Sequence, residues 1–394
     1  MRLLRLTRYE LKKAAGGRFF RIALAALFAV NLFLSCGNWR NFGMGRAMAE
    51  DTRQLCTLLD SLTPQEQAEF EASLLKTYRA EDLVSLFFSP PAEMLLTPGY
   101  FGEDICDHTA LGDYLSLQQL NEQNAARLDA VLRAAKTYGA QALRTGDDYG
   151  VRRNLRIIRL YSLPRAGVRY FVSGWDGLLN AGHTMLLALL LILLVCAGIF
   201  TKEREQRTWL LLHTSRYGKG KTMAAKLLAA ALCAAGITLL LEGGTLLTVL
   251  FDQGLVGASE PVTAVEELCL FPYRFTVGQY VLLSMGCRVF AAVIMALLLG
   301  TVSAVSGSSA VSYAAGGLAL GACLLPVFFS PGTEWLAGPL ALARPERYFT
   351  SYYTADLFGF PVLWAAVQAA LWCVLTAGCI AAGRKAAYRK RSTI

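Results

Sequence analysis

Charge is what this sequence has least of. Asp, Glu, Lys and Arg together supply 17% of its 394 residues, against about 25% in ordinary soluble proteins. That deficit, with 55% hydrophobic residues and a mean hydropathy of +0.41, excludes a disordered chain and argues against a wholly soluble enzyme. Histidine is nearly absent. His108, His183 and His213 stand far apart, and neither H-E-x-x-H nor C-x-x-C occurs, so zinc has no recognisable ligand set. G-x-S-x-G is missing too, and no serine has a histidine placed to activate it. Cysteine is not scarce, but six of the ten (Cys196, Cys233, Cys287, Cys323, Cys373 and Cys379) sit in apolar runs. There they read as small buried hydrophobes and not as a disulfide framework.

What is present is apolar length. A helix needs about 20 mostly apolar residues to cross the hydrocarbon core, and six stretches supply it: Phe19–Cys36, Leu178–Phe200, within Met223–Phe251, within Val277–Val305, Ala310–Phe329 and Pro361–Ala382. None alternates with period two, so helices are expected over barrel strands. The expected class is an all-α integral membrane protein of six transmembrane helices. Residues 1–36 form an interfacial helix and the first span; residues 37–177 form a mainly helical domain outside the membrane; residues 178–394 hold spans two to six.

Orientation follows from the basic residues. Arg2, Arg5, Arg8, Lys12, Lys13 and Arg18 precede the first span, opposed only by Glu10; Lys202, Arg204, Arg207, Arg216, Lys219 and Lys221 follow the second; Arg384, Lys385, Arg389, Lys390 and Arg391 follow the sixth. The loop carrying Asp252, Glu260, Glu266 and Glu267 is acidic. The positive-inside rule then puts both termini in the cytoplasm, at the cell membrane. The net charge of +9 is a topology signal, and no nucleic-acid partner is expected. Trp175, Tyr348, Tyr352, Tyr353 and Trp364 fit an interfacial aromatic belt. The N-terminal run ending Phe33-Leu34-Ser35-Cys36 mimics a lipoprotein leader, but five further spans favour an uncleaved first helix.

In the outer segment, Thr63-Pro64-Gln65-Glu66 has the order of a helix start, and apolar residues recur at helical spacing from about Gly112 to Leu143. Pro90-Pro91 and Thr97-Pro98-Gly99 interrupt the helices. Cys56 and Cys106 either pair or stand as unpaired structural cysteines. The basic run Arg152–Tyr161 is either a surface for an anionic ligand or a solvated helix face.

The string Ser215-Arg216-Tyr217-Gly218-Lys219-Gly220-Lys221-Thr222 lacks only the first glycine of a P-loop. Its context fails: Thr222 leads directly into a span, and no sheet-forming domain surrounds it. Glu242 and Arg288 lie deep in the third and fourth spans, where a lone charge is expensive; at 1.5 Å rise per residue their depths agree within about a turn. They either pair or snorkel separately, and pairing predicts that a double charge swap is milder than either reversal. Gly317 and Gly321 give the fifth span a small-residue face for close packing.

The segment after the second span carries a resemblance. Glu203, Glu205, Thr208, Leu211, Arg216, Ala225 and Lys226 match in order the acidic pair, short apolar helix, polar turn and alanine-lysine entry of ABC-2 type ABC transporter permeases. Arg207 replaces the usual glycine, and the common proline near Ser215 is missing. Six spans with a large loop after the first are similar to the subgroup with an extracytoplasmic domain. The resemblance implies a permease subunit that binds no cofactor itself. ATP and magnesium sit on a separate ATPase subunit, and a second permease, identical or different, completes the transporter in membrane lipid. It also implies that residues 201–222 couple to the ATPase through Glu203, Glu205, Arg207, Thr208, Trp209, Leu211, Arg216 and Lys226. Substrates in the family include lipid-linked glycans, peptides, antibiotics and haem. Two other classes stay open on the residues alone: a sensor or scaffold with a ligand-binding outer domain, and a membrane enzyme with its site at Glu242 and Arg288 or in the outer domain. The Trp209–Leu212 knob is either a docking helix or an interfacial one resting in lipid.

Overall fold

The computed structural model describes residues 2–36, 63, 65–66, 103–165, 167–168, 175, 178–179, 182–206, 221–254, 257–329 and 334–389. Helix α1 (Arg2–Ala15) turns at Gly16-Gly17 into α2 (Arg18–Ser35). A long hairpin of α3 (Glu103–Thr145) and α4 (Asp148–Tyr161) follows. Then come α5 (Gly182–Ala197), the short α6 (Thr201–Glu205), α7 (Lys221–Gln253), α8 (Val277–Val305), α9 (Ser309–Phe329), α10 (Glu346–Phe349) and α11 (Trp364–Arg389). Two strands, β1 (Thr354–Leu357) and β2 (Phe360–Leu363), pair antiparallel before α11.

Among the described residues five helices are long and apolar enough to cross a membrane: Arg18–Ser35, Gly182–Glu205, Lys221–Phe251, Val277–Val305 and Trp364–Lys385. The protein is membrane-embedded. The expected fifth span corresponds to α9, whose described apolar part, Ser309–Leu324, is shorter than these five. The expected sixth span began at Pro361, but Phe360–Leu363 are a strand and the helix starts at Trp364. An apolar count cannot separate a strand from the helix it runs into. The mostly helical class therefore carries one small hairpin.

The core lies between α5, α7 and α8. Ala188, Leu191 and Ile192 of α5 meet Ala230, Ala234 and Leu241 of α7 and Ala292, Met295 and Ala296 of α8. The alanines let the backbones approach closely, which substitutes for a hydrophobic drive where the solvent is lipid. Gly244 serves α2 the same way: a Cβ there would stand 2.8 Å from the Phe28 ring. Helix α1 buries Thr7 and Glu10 and packs Leu11 and Ala14 on the core, one face at i, i+3, i+4 and i+7.

Residues 334–343 form a 3-10 segment that is broken at Gly338. Its Leu340 and Ala343 join the same core as Met185 and Leu241. Irregular backbone at that level is tolerated because protein, not lipid, surrounds it. Residues 257–275 make a compact cap. Phe271 is fully buried, with ring centroids 5.3 Å from Tyr280 and 5.8 Å from Phe349. Trp175, Tyr348 and Tyr352, expected in an interfacial belt, are buried in these outer clusters, and only Tyr353 is exposed. Their rings serve to pack the cap onto the spans.

The α3–α4 hairpin turns where Asp147 caps α4 by accepting from the Gly150 N–H at 3.0 Å. Asn121 both donates to Val168 O at 2.9 Å and accepts from Val168 N at 2.8 Å, and Asn124 donates to Thr263 O. Tyr161 donates its hydroxyl proton to Leu270 O at 2.6 Å. These bonds seat the hairpin on the cap. Glu66 accepts from the Thr63 N–H at 2.8 Å while its own N–H meets the Thr63 hydroxyl, the reciprocal capping expected of a helix start. Cys56, Pro90-Pro91 and Thr97-Pro98-Gly99 lie outside the described residues, as does the Cys106 side chain.

Candidate functional site

Helix α6 is five residues long, and its side chains reach the ends of four other helices. Glu203 is buried. Its Oε1 accepts from Lys13 Nζ of α1 at 2.7 Å, and its Oε2 lies 2.5 Å from Lys226 Nζ of α7. Lys226 is only 1% exposed. A buried ammonium needs partners: Lys226 meets Glu203 and the Ile199 carbonyl at 2.9 Å, and the Glu10 carboxylate adds charge compensation from 4.0 Å. The Phe200 ring covers the same nitrogen at 5.2 Å, a cation–π contact. Two acids and two lysines thus neutralise one another. Burial pushes the Glu10 carboxyl above the ordinary glutamate range, with Glu203 adding to the shift and Lys226 and Lys13 opposing it.

On its other side α6 satisfies two helix ends. Arg204 donates to the carbonyls of Ala304 and Ser306 at the C-terminus of α8. Glu205 Oε1 accepts from the Ser309 N–H at 2.7 Å, the first residue of α9. A cation at a helix C-terminus and an anion at an N-terminus both complement the helix dipole and the unpaired backbone groups there. Ser309 Oγ donates to Thr201 Oγ1 at 2.9 Å, and Ser303 Oγ to Ala197 O at 2.8 Å. The turn between α5 and α6 is therefore tied to both neighbours.

Glu203 and Lys226, read from the sequence as parts of one segment, meet directly; Glu205 points the other way, to α9. Arg207, Thr208, Trp209, Leu211 and Arg216 lie outside the described residues, and so does most of the P-loop-like string. Its last two residues, Lys221 and Thr222, open α7. Sequence reading missed Glu10, Lys13, Thr201 and Arg204 as parts of this cluster. Glu10 had a signal, being the lone acid in a basic N-terminus.

Inside the bundle, Arg288 Nη1 of α8 lies 2.8 Å from Glu242 Oε2 of α7. The same guanidinium donates to the carbonyls of Leu178 and Leu179 before α5. Both side chains are buried. The planar fork of arginine suits this triple task, and lysine would not reproduce it. Nearby, Asn31 of α2 donates to Leu241 O at 3.0 Å and to Thr245 Oγ1 at 2.9 Å. Ser35 joins Thr245 to His183 through contacts of 3.1 and 3.2 Å. This polar seam holds α2, α5, α7 and α8 in register. It also sets the Ser35 hydroxyl beside the His183 imidazole, a serine–histidine contact that the sequence reading did not expect.

Gly317 and Gly321 have nothing within 4 Å of where a Cβ would sit; the close approach within the chain falls instead at Gly316, 2.8 Å from Leu193 Cδ1. The cysteines with described side chains, Cys36, Cys196, Cys233, Cys269, Cys287, Cys323, Cys373 and Cys379, are free thiols. Among the described residues no three His, Cys, Asp or Glu gather to hold a metal. No protein-family model matches the chain, and neither a curated protein nor a solved structure does.

Proposed function

We propose that this chain is the permease subunit of an ABC-2 type transporter, driven by a separate ATPase that docks on residues 207–220. The observation that carries the reading is the double anchoring of α6. Residues 207–220 connect α6 to α7 in the sequence, and the Glu203–Lys226 pair joins the two helices that flank them. Through Lys13, Arg204 and Glu205 the same short helix grips α1, α8 and α9. A push on the stretch would reach all of these helices at once, which is what a pump without a nucleotide site of its own requires. The termini and α6 then face the cytoplasm at the cell membrane, and the α3–α4 hairpin lies outside. The open face of Gly317 and Gly321, beside Leu318 at 76% exposure, is where a second permease would pack.

The apolar knob Trp209–Leu212 would fill a groove on the ATPase, each fully buried side chain contributing about 1.5–3 kcal/mol. Glu203 and Glu205 are engaged within the chain, so they act as struts behind the docking surface. The adjacent reading frame is the first test: a P-loop ATPase encoded there should co-purify with this chain on co-expression, and a neighbourhood without one counts against the reading. Leu211→Asp should release the ATPase and uncouple its hydrolysis from transport while the protein still inserts. Retention of the ATPase at wild-type levels would overturn the docking assignment.

A further inference from the structure

A cleft of about 170 Å³ opens beside the bend between α1 and α2. Its floor is apolar, from Phe20, Val195 and Ile199, while Lys13 and Lys202 stand among its walls. We propose that it binds the phosphate of an anionic phospholipid from the adjacent leaflet.

The bend makes the cleft. Gly17 is extended (φ −64, ψ 133), and nothing lies within 4 Å of where its Cβ would be. On the opposite wall, a Cβ on Gly198 would stand 2.9 Å from Lys202 Cε. The missing side chain lets the Lys202 stem lie against the turn that follows α5. Lys13 spends one of its three donors on Glu203 and is 42% exposed, so the others are open to a ligand. Glu10 also lines the cleft, but its carboxylate lies 4.0 Å from Lys226. The cluster of Glu10, Glu203, Lys13 and Lys226 is neutral as a whole, so Lys202 sets the sign of the cleft, and Lys13 contributes donors more than net charge.

The depth suits a lipid. Helix α1 is amphipathic and α2 is apolar, so their junction marks the boundary between head groups and acyl chains. Just past it, Phe19 and Ile22 are 72% and 68% exposed, as side chains bathed in acyl chains would be. A phosphodiester on the two ammonium groups would place its glycerol and first methylenes against Phe20 and Ile199. A phosphate there would share Lys13 with Glu203, so occupancy acts on the junction of α1 and α6. The site stands whether or not the chain is a permease.

The test uses the purified full-length protein in neutral detergent, titrated separately with short-chain phosphatidylglycerol, the matching phosphatidylcholine and inorganic phosphate. Thermal unfolding is the readout. Phosphatidylglycerol should raise the melting temperature saturably, and the other two should not at equal concentration. Lys202→Gln and Lys13→Gln should each move the half-saturation point about five-fold higher, the usual effect of one lysine near an anionic surface. Lys385→Gln, at the far end of α11, should leave it unchanged. Lys202 lies outside the Glu203 cluster, so its variant reads the site even if Lys13→Gln folds poorly. Equal stabilisation by phosphatidylcholine, full reproduction by inorganic phosphate, or a wild-type midpoint for Lys202→Gln would each overturn the proposal.

Discussion

Lys226 Nζ lies 2.5 Å from Glu203 Oε2, although an undescribed stretch of chain separates α6 from α7. Glu10 completes the arrangement from a third helix, 4.0 Å from the same nitrogen. The three groups have unequal substitutes. After Glu203→Gln, Lys226 still has Glu10 and the Ile199 carbonyl. After Lys226→Met, two buried carboxylates face each other with Lys13 alone to balance them. Lys226→Met should therefore be the more destabilising, by about 3 kcal/mol, the usual scale for breaking a buried pair. Adding Glu10→Gln should recover part of that loss. Denaturant titrations of the three proteins check the order.

Arg288 makes a stronger and less symmetric demand than a simple pair. Charge reversal at both positions, which pairing alone predicts to be mild, would set a carboxylate against the Leu178 and Leu179 carbonyls that Arg288 now satisfies. The swap Glu242→Arg with Arg288→Glu should stay nearly as damaging as either reversal. Glu242→Gln should also be severe, because a guanidinium cannot shed its charge and would remain buried without its counter-ion. Pairing Glu242→Gln with Arg288→Gln removes both charges and leaves an amide to donate to the carbonyls. That double variant should be more stable than Glu242→Gln alone in melting experiments.

Val277–Val305 coincides with the outer bounds expected for the fourth apolar stretch, and the reciprocal cap of Thr276 and Gln279 that starts it is a signal that the sequence reading did not use. The 334–343 segment was not legible. At 10 residues it is too short to register as a span, and only its burial in the core reveals its place. Phe360–Leu363 merged with α11 because hydropathy is blind to the change of period. Glu242 and Arg288 could be matched by depth, since each is a lone charge in a long apolar run. Lys13 and Arg204 could not, because nothing local marks one lysine of a basic tail, or an arginine in a five-residue helix, as a partner for a helix far along the chain. Trp175 and Tyr352 show the same limit: an aromatic at a boundary serves a lipid interface or a protein cap, and composition does not separate the two.

Tyr161 supplies a pH dependence. Burial raises its hydroxyl pKa from 10.0 to about 12, and the proton it keeps is donated to Leu270 O. A raised folded pKa means that the contribution is full below about 10 and is lost as the pH climbs through about 12. Tyr161→Phe leaves the Leu270 carbonyl without this donor and should cost about 1 kcal/mol at neutral pH. The gap between wild type and Tyr161→Phe should close between pH 10 and 12. Chemical denaturation at a series of alkaline pH values reads it directly, and a gap that stays constant would separate Tyr161 from the effect.

Phe358 is the least comfortable residue in the β-hairpin. Leu357 and Phe360 pair across a two-residue loop, and Phe358 and Gly359 in that loop have φ of 55° and 79°. Positive φ at both positions is the geometry of a type I′ turn, which favours Asn-Gly. A phenylalanine pays roughly 1–2 kcal/mol to enter that region. At 96% exposure it recovers nothing by packing within the chain. The turn is held instead by Asp356 Oδ1, which accepts from the Gly359 N–H at 2.7 Å, and by the Arg152 guanidinium over the Phe360 ring at 4.4 Å. Phe358→Asn should therefore slow hydrogen exchange across 354–363 by about five-fold, corresponding to ~1 kcal/mol of relieved strain. Phe358→Ala keeps the strain and should give no protection, which distinguishes turn geometry from the mere loss of an exposed ring. Faster exchange in Phe358→Asn would mean that the ring stabilises the hairpin through a contact outside the chain.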